Sequence, residues 1–118
     1  MEPFRHEVVM MEDYDIINDT VDTMMEIYDE YDGAKKYINE AIKIKSKDKT
    51  RADELVQMSA QELGHGEKLT VAVGKMLEKM KTDNNPCYDT LHLVWTRIKE
   101  RQDGYNAWIK QMHEKYKK

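Results

Sequence analysis

Apolar residues recur every three or four positions over most of the chain, the period of a helix with one buried face. From Val8 to about Lys45 the steps fall on Met10, Tyr14, Ile17, Val21, Met24, Tyr28, Tyr31, Ile38 and Ile42, with Lys35 filling one slot and Ala34 and Ala41 beside the stripe. This predicts an amphipathic helix roughly 55 Å long at 1.5 Å rise per residue. Gly33 lies inside it and marks a candidate kink, which would turn three helices into four. Residues 1–7, with Pro3, read as a flexible tail.

Ser46-Lys47-Asp48-Lys49 reads as a turn, and Thr50 followed by Asp53 resembles a capping box. A second helix is expected from about Arg51 to Lys81, with the stripe Leu55, Met58, Glu62, His65, Leu69, Ala72, Met76, Met80. Thr82-Asp83-Asn84-Asn85 forms the next loop. Asn85 is placed to cap a third helix, with Pro86 at its first position, where no backbone donor is required. The third stripe is Tyr88, Leu91, Trp95, Ile98, Gln102, Tyr105, Ile109, Met112, Tyr116. Short loops make successive helices antiparallel. The expected fold is all-α: an antiparallel bundle of three long helices in a single domain over residues 8–118.

Composition agrees with long helices: 36% of the 118 residues are charged, and there are only two Pro and five Gly. A single cysteine, Cys87, excludes an intrachain disulfide and points to a reducing compartment. No apolar run approaches membrane-spanning length, so a cytoplasmic protein without membrane contact is expected. The net charge of −4 argues against nucleic acid as the main partner. Lys43, Lys45, Lys47, Lys49 and Arg51 make the first turn basic, which solvated helix ends ordinarily are. There is no glycine-rich phosphate loop, zinc Cys/His cluster or nucleophile elbow.

Glu62 and His65 interrupt the second stripe. A carboxylate on an apolar face loses hydration and must be paired, protonated or bound to a cation. At i and i+3 both side chains leave one side of the helix. In a bundle, Glu-x-x-His is the arrangement that binds two iron or manganese ions. Folding the first hairpin about Lys47 and Asp48 sets Glu30 opposite His65 at the same height. Folding the second about Asn84 sets Asp103 level with them, and gathers Gly33, Gly64, Gly66 and Gly104 into one layer. Each of these glycines costs a helix about 1 kcal/mol against Ala, which suggests close backbone approach or room for a bound group. A small-residue layer at a tight helix crossing is the plainer account.

The segment Glu30 to Leu69 resembles the first helix pair of the ferritin-like superfamily, rubrerythrin-type domains above all. Glu30, Ala34 and Tyr37 match the Glu, Ala and Tyr of that family's first helix, and Glu62 with His65 match its Glu-x-x-His. The resemblance covers about a third of the chain. It implies a di-iron or di-manganese carboxylate site with Glu62 bridging, Glu30 a terminal ligand and His65 capping one ion. The implied chemistry is ferroxidase-like or peroxidase-like: ferrous oxidation, iron storage or peroxide handling. The second Glu and second Glu-x-x-His that the family requires do not follow, since Asp89-Thr90-Leu91-His92 falls several turns from Glu62. Two copies of the chain, as in half-ferritins, would supply six ligands. Alternatively Asp103 or Glu100 completes a mononuclear shell, or the residues bond to Tyr105, Gln102 or each other without metal. The rival of another class is a non-enzymatic helical adaptor or assembly protein, a phage or bacterial accessory, that keeps the bundle without the metal.

Overall fold

In the computed structural model, backbone is described from Pro3 and side chains from Tyr14 to Lys118. Three helices account for nearly all of it: α1 (Pro3–Ile44), α2 (Lys49–Thr82) and α3 (Tyr88–Lys117). They form a rod of 70 × 20 × 15 Å with no strand among the described residues. Among the described residues, no helix is long and apolar enough to cross a membrane. α1 runs unbroken through Gly33, so the fourth helix does not arise. A helix tolerates one glycine when both neighbouring turns are held by packing, and here Tyr31 and Ala34 are buried on either side. The tail expected over residues 1–7 overlaps the start of α1, with residues 1 and 2 outside the described residues.

The helix ends differ in detail from the sequence expectation. Asp48, not Thr50, caps α2, its carboxylate accepting from the Arg51 backbone N–H at 3.0 Å. A free side-chain oxygen one turn ahead of an orphan donor is what a cap requires. Asn85 does not cap α3. Its Oδ1 accepts from Cys87 N, forming a local turn that delays the helix to Tyr88, past Pro86.

Residues that meet across the α1–α2 seam rise in number along one helix as they fall along the other: Thr20 with Met80, Glu30 with His65, Ala34 with Ser59. The seam is built on Ile27, Ala34, Ile38 and Ala41 against Ala52, Ser59, Leu63, Gly66 and Val73, all buried. Burying an Ile such as Ile27 or Ile38 is worth about 2 kcal/mol. At Gly66 the two helices come so close that a Cβ would lie 2.5 Å from the Tyr31 ring.

Two of the three expected stripes are only partly in phase with this core: Met24, Tyr31 and Ile38 on α1 and Leu55 and Met80 on α2 are buried as expected. On α1, Thr20 and Ile27 are buried while Tyr14, Val21 and Tyr28 are exposed. On α2, Ser59, Leu63, Gly66 and Leu77 are buried, whereas Met58, Glu62, Leu69 and Met76 are only part-buried and His65 is exposed. One residue turns a helix by about 100°, so an offset of one residue moves a stripe from the centre of the seam to its margin. The third stripe is in phase: Leu91, Trp95, Gln102, Ile109 and Tyr116 are buried.

α3 covers only one flank of the hairpin. It meets α1 through Asn106 at Tyr31 and through Tyr105 and Trp108 beneath the Lys35 ammonium. It meets α2 through His113 at Ser59, Tyr116 at Asp53 and Lys110 near Glu67. Several cations at the basic end are engaged locally: Lys49 with Asp53, Arg51 with Glu54, and Lys45 with the Tyr116 carbonyl and ring.

Candidate metal centre

Glu30, Glu62 and His65 come together. Each offers one ligand atom, and the three atoms lie within 4.8 Å of one another. α1 supplies Glu30 and α2 supplies Glu62 and His65, which share a side because three residues turn the helix by about 300°. The three stand on the flank of the seam away from α3. Among the described residues, no hydrogen bond, ion pair or ring contact links them to the third helix.

The polar accounting at this point does not close. Glu30 Oε2 is buried and, while both acids are ionised, accepts no hydrogen bond. His65 Nδ1 is 3.6 Å from it, beyond hydrogen-bond range. The Glu62 carboxyl is pushed above the ordinary carboxylate range, first by hydrogen bonding to Glu30, then by burial and by the Glu30 charge, with His65 pulling the other way. Two acids this close can satisfy each other only while one keeps a proton. The absent Cβ of Gly33 leaves room for the Glu62 carboxylate, whose Oε2 would lie 3.4 Å from it. Two carboxylates and an imidazole with one buried, unpartnered oxygen make a donor set suited to iron, manganese or zinc. The residues present therefore fit a divalent cation.

Asp103 does not join them. It is exposed on α3 and pairs with Lys99 at 3.6 Å, and Glu100 is exposed on the same helix. The α2–α3 register is the reason. Ser59 meets His113 and Glu67 lies near Lys110, so at this height α3 sits further along than a fold about Asn84 implies, and on the other flank. Tyr105 and Gln102 likewise do not bond to Glu62 or His65. The expected four-glycine layer reduces to one close approach, Gly66 at Tyr31, with Gly33 in ordinary contact range of Glu62. A Cβ at Gly64 or Gly104 would meet nothing within 4 Å.

A second polar cluster escaped the sequence reading. Ser59, fully buried, donates its only hydroxyl proton to the Ala34 carbonyl at 2.7 Å. His113 Nε2, 2.9 Å from Ser59 Oγ, must therefore be the donor in that bond. A nucleophilic serine needs the reverse arrangement, with the imidazole accepting, so this pair is structural. Burial holds the His113 ring below its ordinary pKa, with Lys117 adding to the effect and Glu114 opposing it. The available signal was Ser59 itself, four residues from both Leu55 and Leu63 on the buried face.

Compared with known proteins, the chain matches no family model, no curated protein and no solved structure.

Proposed function

We propose that the protein is a metal-binding helical bundle in which Glu30, Glu62 and His65 form half of a ferritin-like carboxylate site, completed by the same three residues of a second copy. The observation that carries the reading is the unclosed accounting: a buried Glu30 oxygen without a donor, beside a second acid and an imidazole at coordinating distance. The site's position also supports it. The open flank of an antiparallel α1–α2 hairpin is where a fourth helix, or a second hairpin, would pack in a four-helix bundle. In this reading Glu30 and Glu62 supply charge to iron or manganese and His65 supplies nitrogen. An iron pair so held would provide ferrous oxidation by oxygen or peroxide. Meanwhile the chain's own residues restrict the approach: Gly33 keeps the wall beside Glu62 low, and Ile27, Ala34 and Leu63 keep water from the seam beneath.

A helical adaptor without metal is the second reading. It is favoured by the exposure of His65, whose side chain is 58% accessible, more than a finished coordination shell allows.

The test is titration of the metal-free protein with ferrous and manganous ion, read by calorimetry and by bound metal after desalting. The wild type should retain about one ion per chain and increase in oligomeric mass as it does so. Glu62→Ala and Glu30→Ala should each weaken binding by at least about a hundredfold, the scale of one lost charged ligand. Equal uptake by wild type and Glu62→Ala, or none by either, would favour the adaptor.

A further inference from the structure

α1 and α3 leave a groove of about 450 Å³ between them, on the flank opposite the candidate metal centre. Val21, Met25 and Tyr28 form one wall and Val94 and Ile98 the other, while Arg97 and Arg101 stand on the α3 rim. The α1 wall is unusually bare. Tyr14, Met25 and Tyr28 are 61%, 65% and 50% exposed. These positions, with Val21, repeat at heptad-like spacing along four turns, and such a contiguous apolar strip marks a contact surface. Two polar features lack partners. Gln102 is buried at the groove, and its Oε1 accepts no hydrogen bond. Among the described residues neither Arg97 nor Arg101 has an ion-pair or hydrogen-bond partner.

The charges beside the strip identify the occupant. Beyond Val21 and Met25 on the outer side of α1 runs an exposed acidic row that includes Asp22, Glu26 and Asp29. The groove is therefore apolar along its length, acidic on its α1 side and basic on its α3 side. An isologous contact needs such a surface, because a two-fold rotation sets each side against its opposite. The register allows it. The Tyr31–Asn106 hydrogen bond fixes the relative height of α1 and α3, which places Arg97 and Arg101 level with Asp22 and Glu26. A two-fold axis near Met24 then carries Asp22 of a second copy to the height of Arg101, and Glu26 to that of Arg97.

We propose that this groove is an interface between two copies of the chain, in which the α1 strip of each fills the α1–α3 groove of the other and its acidic row meets the other's Arg97 and Arg101. The contact needs no metal and lies on the face that the candidate centre does not use, so the two readings stand or fall separately.

The experiment is light-scattering mass across a size-exclusion column, in chelator, at tens of micromolar chain. The wild type and Glu62→Ala should both run at the mass of two chains. R97E/R101E and D22K/E26K should each run as single chains with unchanged helical circular dichroism, and an equimolar mixture of the two should recover the double mass. Met25→Asp should also give single chains. A wild type of single-chain mass would overturn the proposal, whether the groove then takes a small amphipathic anion or nothing. So would an R97E/R101E protein that keeps the double mass, or a mixture of the charge-reversed chains that stays single. Appearance of still larger species on adding metal would report on the candidate centre alone.

Discussion

Two polar clusters sit about one helical turn apart on the same α1–α2 seam, and they are built on opposite terms. Under α3, Ser59 and His113 form a closed set: one hydroxyl proton to the Ala34 carbonyl, one ring N–H to the hydroxyl, and an imidazole kept neutral by burial. On the uncovered flank, Glu30, Glu62 and His65 form an open set, with a buried Glu30 oxygen that no neutral donor reaches and a Glu62 carboxyl pushed above its ordinary range by that neighbour. A buried polar group left unsatisfied costs about 1–3 kcal/mol. The proposed cation would offset this cost at the open cluster, whereas the closed cluster does not incur it. Donor and acceptor accounting separates the two clusters, which neither burial nor residue type alone would do.

The sharpest way to break the comparison is to alter the glycine that belongs to each flank. Gly66→Ala drives a methyl into the buried Tyr31 ring on the sealed flank and should cost about 2 kcal/mol, the scale of an overpacked core. Gly33→Ala on the open flank meets only the Glu62 carboxylate at ordinary contact distance. It should gain up to about 1 kcal/mol from helix propensity. Urea unfolding of both variants checks the pair, and a large loss at Gly33 would show that the open flank is packed as tightly as the sealed one.

Ser59→Ala comes next. It strips His113 Nε2–H of its acceptor and should cost about 1–2 kcal/mol. The same cluster gives a pH dependence with a definite sign. Because the folded pKa of His113 is lowered, the unfolded chain binds more protons in the window just below the ordinary histidine value. Stability therefore falls as pH drops through about 6.5. Denaturant midpoints at pH 7.5 and 5.5 should differ less in His113→Gln than in the wild type. An unchanged difference would remove burial of the neutral ring from the account.

The smallest effect falls on the open cluster. In metal-free protein at neutral pH, Glu62→Gln removes the repulsion between two crowded acids and should stabilise by about 0.5 kcal/mol, a rise in Tm of roughly 2 °C. A clear drop in Tm would mean that the two acids hold the fold together as a hydrogen-bonded pair, and the case for a cation site would go with it.

Much of the fold was legible because helix content, loop positions and the α1–α2 register all follow from local rules. A hairpin folded about Lys47 and Asp48 sets Glu30 beside His65, as found. Phase was harder to read. Tyr14, Val21 and Tyr28 look like core because they are large and evenly spaced, yet the core takes Thr20 and Ile27 instead. Periodicity reports that an apolar stripe exists but not which neighbour it faces. An acidic helix with two apolar stripes has two candidate seams, and in the proposed dimer both are used. The candidate site suffered from the same ambiguity. Its residues were found, but they lie at the margin of the seam, and Asp103 was assigned to them through a second register that slips towards the end of α3.

The sequence alone determined three long helices, their turns, and a Glu opposite a Glu-x-x-His, because period and hairpin length act within a few residues of one another. Only the tertiary structure decided which flank of the hairpin α3 covers. That choice depends on side-chain fit between distant segments, Asn106 at Tyr31 and Trp95 and Ile109 in the core, and it leaves the acids uncovered and the apolar strip of α1 facing outward.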